Sequence, residues 1–136
     1  MTEFGANNTM ITLTNNNIIE LTRGDTEVIP IPIFYSSPDL INISYFPGRY
    51  DKIFFAVMGP HQKFEDAIIK KIYYYNDINQ RTGVINIKLE SIDTQFLRPG
   101  TYYYTVKVLK KGMEDVEDCM GRIETVISNR KFIIKE

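Results

Sequence analysis

Two-residue alternation of apolar and polar side chains, broken repeatedly by turn residues, constrains this chain more than any other feature. In GVINIKLE, residues 83–90, Ile85, Ile87 and Leu89 oppose Val84, Asn86, Lys88 and Glu90. In TYYYTVKVL, residues 101–109, Tyr102, Tyr104, Val106 and Val108 oppose Tyr103, Thr105 and Lys107. KIFFAVM, residues 52–58, sets Ile53, Phe55 and Val57 against Phe54, Ala56 and Met58, and RKFIIKE closes the chain with Phe132 and a β-branched pair. A period of two belongs to strands. Turn chemistry separates the runs at Ser37-Pro38-Asp39, Phe46-Pro47-Gly48, Gly59-Pro60, Arg81-Thr82-Gly83 and Arg98-Pro99-Gly100. This spacing predicts seven or eight short strands in an antiparallel sandwich.

With 136 residues the chain suffices for one domain with a real core. Residues 1–17 read as an arm or short edge strand, and 18–136 as a single β-sandwich domain. No segment carries a long helical period. The best helix candidate is SIDTQFL, residues 91–97, capped by Ser91 or Asp93 and ended by Pro99-Gly100. Residues 110–122 read as a polar connection before the last strand, with 121–128 available to continue that strand.

VIPIPIF, residues 28–34, adds a lateral constraint. Pro30 and Pro32 lie two apart, so their missing N–H groups fall on the same edge of one strand. A central strand cannot lose two ladder donors on one side. The segment is therefore an edge, or it meets another subunit through side chains, and its prolines discourage promiscuous pairing.

Just upstream stands Arg23-Gly24-Asp25, the adhesion tripeptide, followed by Thr26. It falls where a turn is required, between NIIELT and EVIPIPIF. Gly24 tolerates positive φ, and Asp25 can accept from backbone N–H groups near Thr26 or Glu27. Receptor adhesion needs a long projecting loop, for which the flanking strands leave little room. The tripeptide is expected to be a turn.

Charge excludes several classes. Sixteen basic residues against seventeen acidic leave a net charge of −1, with no overall field for nucleic acid or an anionic membrane. Lys70-Lys71 and Lys110-Lys111 read as solvated pairs. The N-terminus lacks a basic n-region and an apolar h-region, and no run approaches the ~20 apolar residues of a membrane helix, so a chain made and kept soluble in a cytoplasm is expected. A single cysteine, Cys119, cannot form an internal disulfide. The lone histidine, His61, has no second and third zinc ligands beside it. Nucleophile-elbow, phosphate-loop and dinucleotide signatures are lacking. Carboxylates at Asp39, Asp51, Glu65, Asp66, Asp77, Glu90 and Asp93 sit in or beside loops and strand ends, with no pair marked as catalytic. The expectation is a non-enzyme without cofactor or metal.

Three separated stretches carry a family resemblance. They are LTRGDTEVIPIPI, then YDKIFFAVMGPHQKFEDAIIKKIY, then SIDTQFLRPGTYYYTVKV followed by ETVISNRKFIIKE. In order and spacing, over residues 18–134, the chain resembles the small β-sandwich domain of tailed-bacteriophage structural proteins. It is similar to the N-terminal domain of siphophage upper baseplate proteins. The resemblance implies a non-enzymatic, immunoglobulin-like fold that docks to the virion and assembles into oligomers. The implied partners are other virion proteins, and the implied location is the virion, after synthesis in the host bacterial cytoplasm. In those baseplate proteins a linker and a distal portion usually follow, whereas here the chain ends at Glu136, straight after the last strand. That favours a stand-alone component: tail, baseplate or neck accessory, or capsid decoration.

Within DTQFLRPGTYYY, Leu97 is expected to plug the core end, Pro99-Gly100 to turn the chain, and Tyr102 or Tyr104 to pack inward. A buried tyrosine hydroxyl would find the Asp93 carboxylate or a nearby backbone group. KKIYYYND puts Tyr73 and Tyr75 on one face and Tyr74 on the other, and TYYY leaves Tyr103 outside. With Pro30 and Pro32, these tyrosines are the candidate interface. Exposed tyrosines suit protein contacts and sugar stacking alike, so a carbohydrate-binding module that engages host glycans is the alternative.

Overall fold

The computed structural model describes residues 12–13, 18–32, 34–36, 42–44, 49–79, 81–110 and 122–136. Cys119, the turns at 37–39 and 46–48, and most of the 1–17 arm and the 110–122 connection lie outside them. The fold is all-β. Its strands are β1 (Thr12–Leu13), β2 (Ile19–Thr22), β3 (Glu27–Pro32), β4 (Phe34–Ser36), β5 (Asn42–Ser44), β6 (Lys52–Met58), β7 (Ile69–Tyr74), β8 (Val84–Leu89), β9 (Gly100–Lys110) and β10 (Arg122–Lys135). Among the described residues there are ten strand segments, of which β1, β4 and β5 are only two or three residues long. The other elements among the described residues are a single-turn helix, α1 (Ser91–Thr94), and two 3-10 turns, Phe64–Asp66 and Tyr75–Asp77.

One curled sheet orders its strands β1-β2-β10-β9-β6-β7, a second pairs β3 with β8, and β4 pairs with β5. The fully antiparallel expectation fails at one pair: β2 runs parallel to β10, Ile19 opposite Phe132 and Leu21 opposite Ile134. Both elements reach this register by presenting their apolar residues to the same interior. Alternation then decides the rest. Ile29 and Ile31 of β3 and Ile85, Ile87 and Leu89 of β8 share one core cluster with Ile53, Phe55 and Val57 of β6 and Tyr104, Val106 and Val108 of β9. Phe55 lies at its centre, its ring 5.6 Å from that of Tyr104 and 6.4 Å from that of Phe132. Such tilted ring pairs add to what apolar burial supplies.

The seam between the sheets is closed by polar groups. Tyr73 of β7 turns its hydroxyl to accept the Lys88 N–H of β8 at 3.1 Å, and Ile78 bridges Ile85 just beyond. Lys71 of β7 meets Asp93 of α1 at 2.8 Å. β10 is one continuous strand, so residues 122–128 do extend it, with register irregularities between Thr125 and Ile127 and between Ile127 and Arg130. Asn129 takes φ +50° there. Its N–H donates to Thr105 Oγ1 at 3.2 Å, and this side-chain oxygen holds the irregular segment against β9.

Candidate functional site

The Arg-Gly-Asp segment is a tight turn. Asp25 N–H donates to the Thr22 carbonyl at 3.1 Å, and Gly24 sits at φ +84°. A positive φ at the third residue of such a turn is the type II geometry. The turn is bound to its surroundings at three further points. Arg23 N–H donates to the Lys135 carbonyl at 2.8 Å, the Arg23 guanidinium reaches Glu136 at 3.3 Å, and Gly24 N–H donates to Thr94 Oγ1 at 2.8 Å. Thr94 is wholly buried. Its hydroxyl exists to satisfy that amide, a link between β2 and α1 that no local sequence pattern announces.

The same end of the molecule holds α1 and the start of β9. The helix cap is Glu90, not Ser91. Asp93, at the third helical position, accepts the Glu90 N–H at 2.7 Å and pairs with Lys71. Asp93 is therefore spent on the cap and the seam, and it acts on a tyrosine only through its charge, which helps to raise the pKa of Tyr73. The nearby-backbone alternative holds instead: Tyr102 O–H donates to the Arg98 carbonyl at 2.7 Å, across the turn at Pro99 and Gly100, while its ring and Leu97 pack on the core. Tyr104 is fully buried, and burial pushes its hydroxyl up to about 12.

The tyrosines of β7 do not form one platform. Tyr73 points inward against the core, and burial raises its pKa above the ordinary value, opposed by the Lys88 N–H bond and by Lys71. Tyr75 leaves the strand in a 3-10 turn and is half-buried, so strand alternation no longer applies to it. Tyr74 remains outward at half exposure, its N–H tied to Asp77 at 2.8 Å. Tyr103 lies on the outer side of β9, half-buried. Pro30 and Pro32 are paired with Asn86 and Val84. Lacking N–H groups, they cannot be the positions that exchange both ladder bonds, so those bonds fall to Ile29 and Ile31, and the proline edge faces away from β8.

Sequence alternation left several outward apolar residues unmarked. Phe96 is 81 % exposed and Ile92 62 %, four apart beside the Arg-Gly-Asp turn, while Ile72 and Ile123 stand out from the curled sheet. Ile72 could have been found, because it lies out of phase with inward Tyr73 and Lys71, whereas Phe96 lies beyond the end of α1 and follows no helix face. Among the described residues no three His, Cys, Asp or Glu side chains converge to hold a metal, and His61 is exposed. No helix among them is long and apolar enough to cross a membrane. Chemically the surface offers apolar anchors and scattered cations, a vocabulary of contact. No family model, no curated protein and no solved structure matches the chain.

Proposed function

We propose that this chain is a non-enzymatic structural component of a tailed-bacteriophage virion, built as an immunoglobulin-like β-sandwich that joins other virion proteins. The single observation that carries the contact role is the set of large apolar side chains held outside a well-formed core, Phe96 foremost at 81 % exposure. Surface hydrophobes scattered singly need no explanation, but neighbouring ones on ordered elements mark contact surfaces. The phage assignment rests on the three stretches of sequence resemblance.

Strand order supports the immunoglobulin-like reading. β7-β6-β9-β10 has the C′-C-F-G order, β3-β8 has the B-E pairing, and the chain passes between these two sheets from β2 to β3, from β7 to β8 and from β8 to β9. Tyr102, near the start of β9, bonds back to the backbone four residues upstream, as a tyrosine corner does.

The deciding experiment is quantitative mass spectrometry of density-purified particles from the source culture. Copies per major capsid protein in the range of a few to a few tens per particle assign the chain to tail, neck or baseplate; a ratio near that of the capsid protein makes it a decoration. Absence from particles overturns the reading.

A further inference from the structure

In an antiparallel ladder one residue directs its N–H and C=O to one neighbour and the next residue to the other. Two bonds fix this phase in β7. Tyr74 N–H is taken by the Asp77 carboxylate at 2.8 Å and so does not reach β6, while just before the strand Ile68 N–H donates to the Val57 carbonyl at 2.8 Å. Ile69, Lys71 and Tyr73, opposite Val57, Phe55 and Ile53, therefore carry the ladder to β6. Lys70 and Ile72 direct both backbone groups the other way. β7 ends the six-stranded sheet, and among the described residues no strand lies beyond it. Lys70 is exposed on the outer face, as are Ile72 at 49 % and Tyr74 at 50 %.

The other described edges suit strand addition poorly. β3 lacks two donors at Pro30 and Pro32, β10 beyond its pairing with β2 carries register irregularities and left-handed Asn129, and β1 spans two residues. β7 has neither proline nor bulge. Its two lysines still restrict what can pair with it, and the restriction points to the strand itself. A two-fold axis through Lys70 or Lys71 would set lysine against lysine, which is destabilising. An axis through Ile69, Tyr73 or Tyr74 would run the partner off the end of the strand. An axis through Ile72 sets Ile72 against its own copy, Lys70 against Tyr74 and Lys71 against Tyr73. Apolar contact is then flanked by cations beside aromatic rings, with no like charges opposed. The ammonium groups need no anion from the partner, since Lys70 Nζ donates to the Glu65 carbonyl at 2.8 Å and Lys71 pairs with Asp93. The complement of this edge is the edge itself, which only a second copy can bring.

We propose that β7 pairs antiparallel with β7 of a second copy about a two-fold axis at Ile72, joining the two sheets edge to edge. Ile72 N–H and C=O exchange bonds with their own copies, and each Lys70 N–H donates to the Tyr74 carbonyl of the second copy. A contact of one strand edge is small, so the dimer is a weak one that forms with rising concentration. The test is sedimentation with amide hydrogen exchange on the full chain. Wild type should pass from monomer to dimer along a concentration series, and the Ile72 amide should exchange freely in the monomer and slow in the dimer. I72K and I72E each place like charges on the axis. Each alone should stay monomeric, with unchanged far-UV spectrum and melting midpoint, whereas an equal mixture should recover the dimer because lysine then faces glutamate. A wild type that is monomeric throughout overturns the proposal, as does a dimer whose Ile72 amide stays fast. An Ile72 amide protected at every concentration would mean that the chain covers its own edge, and would overturn it too. So would a single variant that dimerises like wild type, or a mixture that does not recover. The pairing gives the structural-component reading a neighbour without depending on it: a chain that dimerises this way yet is absent from particles would remove that reading and leave this one standing.

Discussion

At the scale of single residues, Gly24 and Thr94 act as one device. A Cβ at Gly24 would meet Gln95 and Ser91 only at 3.8 and 3.9 Å, so space is not the obstacle; φ +84° is. Gly24→Ala should therefore cost about 1–2 kcal/mol from backbone strain, read as a lowered urea midpoint with unchanged slope. Thr94→Val keeps the shape and strands the Gly24 amide, at a cost of about 1–3 kcal/mol. The two losses should add to less than their sum in a double-mutant cycle, because both act on one turn. Tyr104 sets a different limit. Its folded pKa is raised to about 12 from 10.0, so the stability it lends is whole below pH 10 and drains as pH climbs towards 12. Denaturation midpoints measured between pH 9 and 12 should fall, and Tyr104→Phe should flatten that fall. A midpoint independent of pH over this interval would show that the hydroxyl titrates alike in both states.

At the scale of elements, β3 shows how far alternation and proline chemistry reach. Glu27, Ile29 and Ile31 face inward while Val28 and Pro32 are exposed. Replacing both prolines, P30T/P32T, restores two ladder donors to an open edge. The double variant should fold, yet form aggregates that light scattering detects at concentrations where wild type stays clear. Legibility was uneven in a physically consistent way. Strands with one buried face, such as β3 and β8, declared themselves because their side chains alternate between core and water. β6 was legible as a strand but not in its burial: Ala56 and Met58, on its outer face, are buried as well, beneath a loop whose Phe64 ring reaches Lys107. β10 was only half legible, since an irregular register shifts phase, and no periodic template tolerates an extra residue. The Arg-Gly-Asp turn could be read from glycine chemistry, but its tie to Thr94 spans seventy positions. Long-range partners leave no trace in local pattern, which is also why the Lys71–Asp93 seam escaped.

At the scale of the whole molecule, both sheets contribute to one core cluster, so neither can shed the other without exposing Phe55, Tyr104 and Ile87 together. Unfolding should accordingly be a single transition, with far-UV ellipticity and near-UV tyrosine signals superimposing across a denaturant titration. Separated curves would mean that the β3–β8 pair detaches first. The outer surface could not be assigned by alternation alone, because exposure of Ile72 or Phe96 is meaningful only once the neighbours that fail to cover them are known.

The parallel alignment of β2 with β10 has a mechanical consequence. Tension applied along the chain from the residue 18 side and from Glu136 draws these two strands past one another lengthwise. Their cross-links, together with the Arg23 to Lys135 bond, are then loaded simultaneously in shear, whereas a hairpin pulled at its open end unzips one rung at a time. A protein so connected resists stretching most strongly along the line through β2 and β10, and pulling through a hairpin such as β6–β7 should require a markedly smaller force.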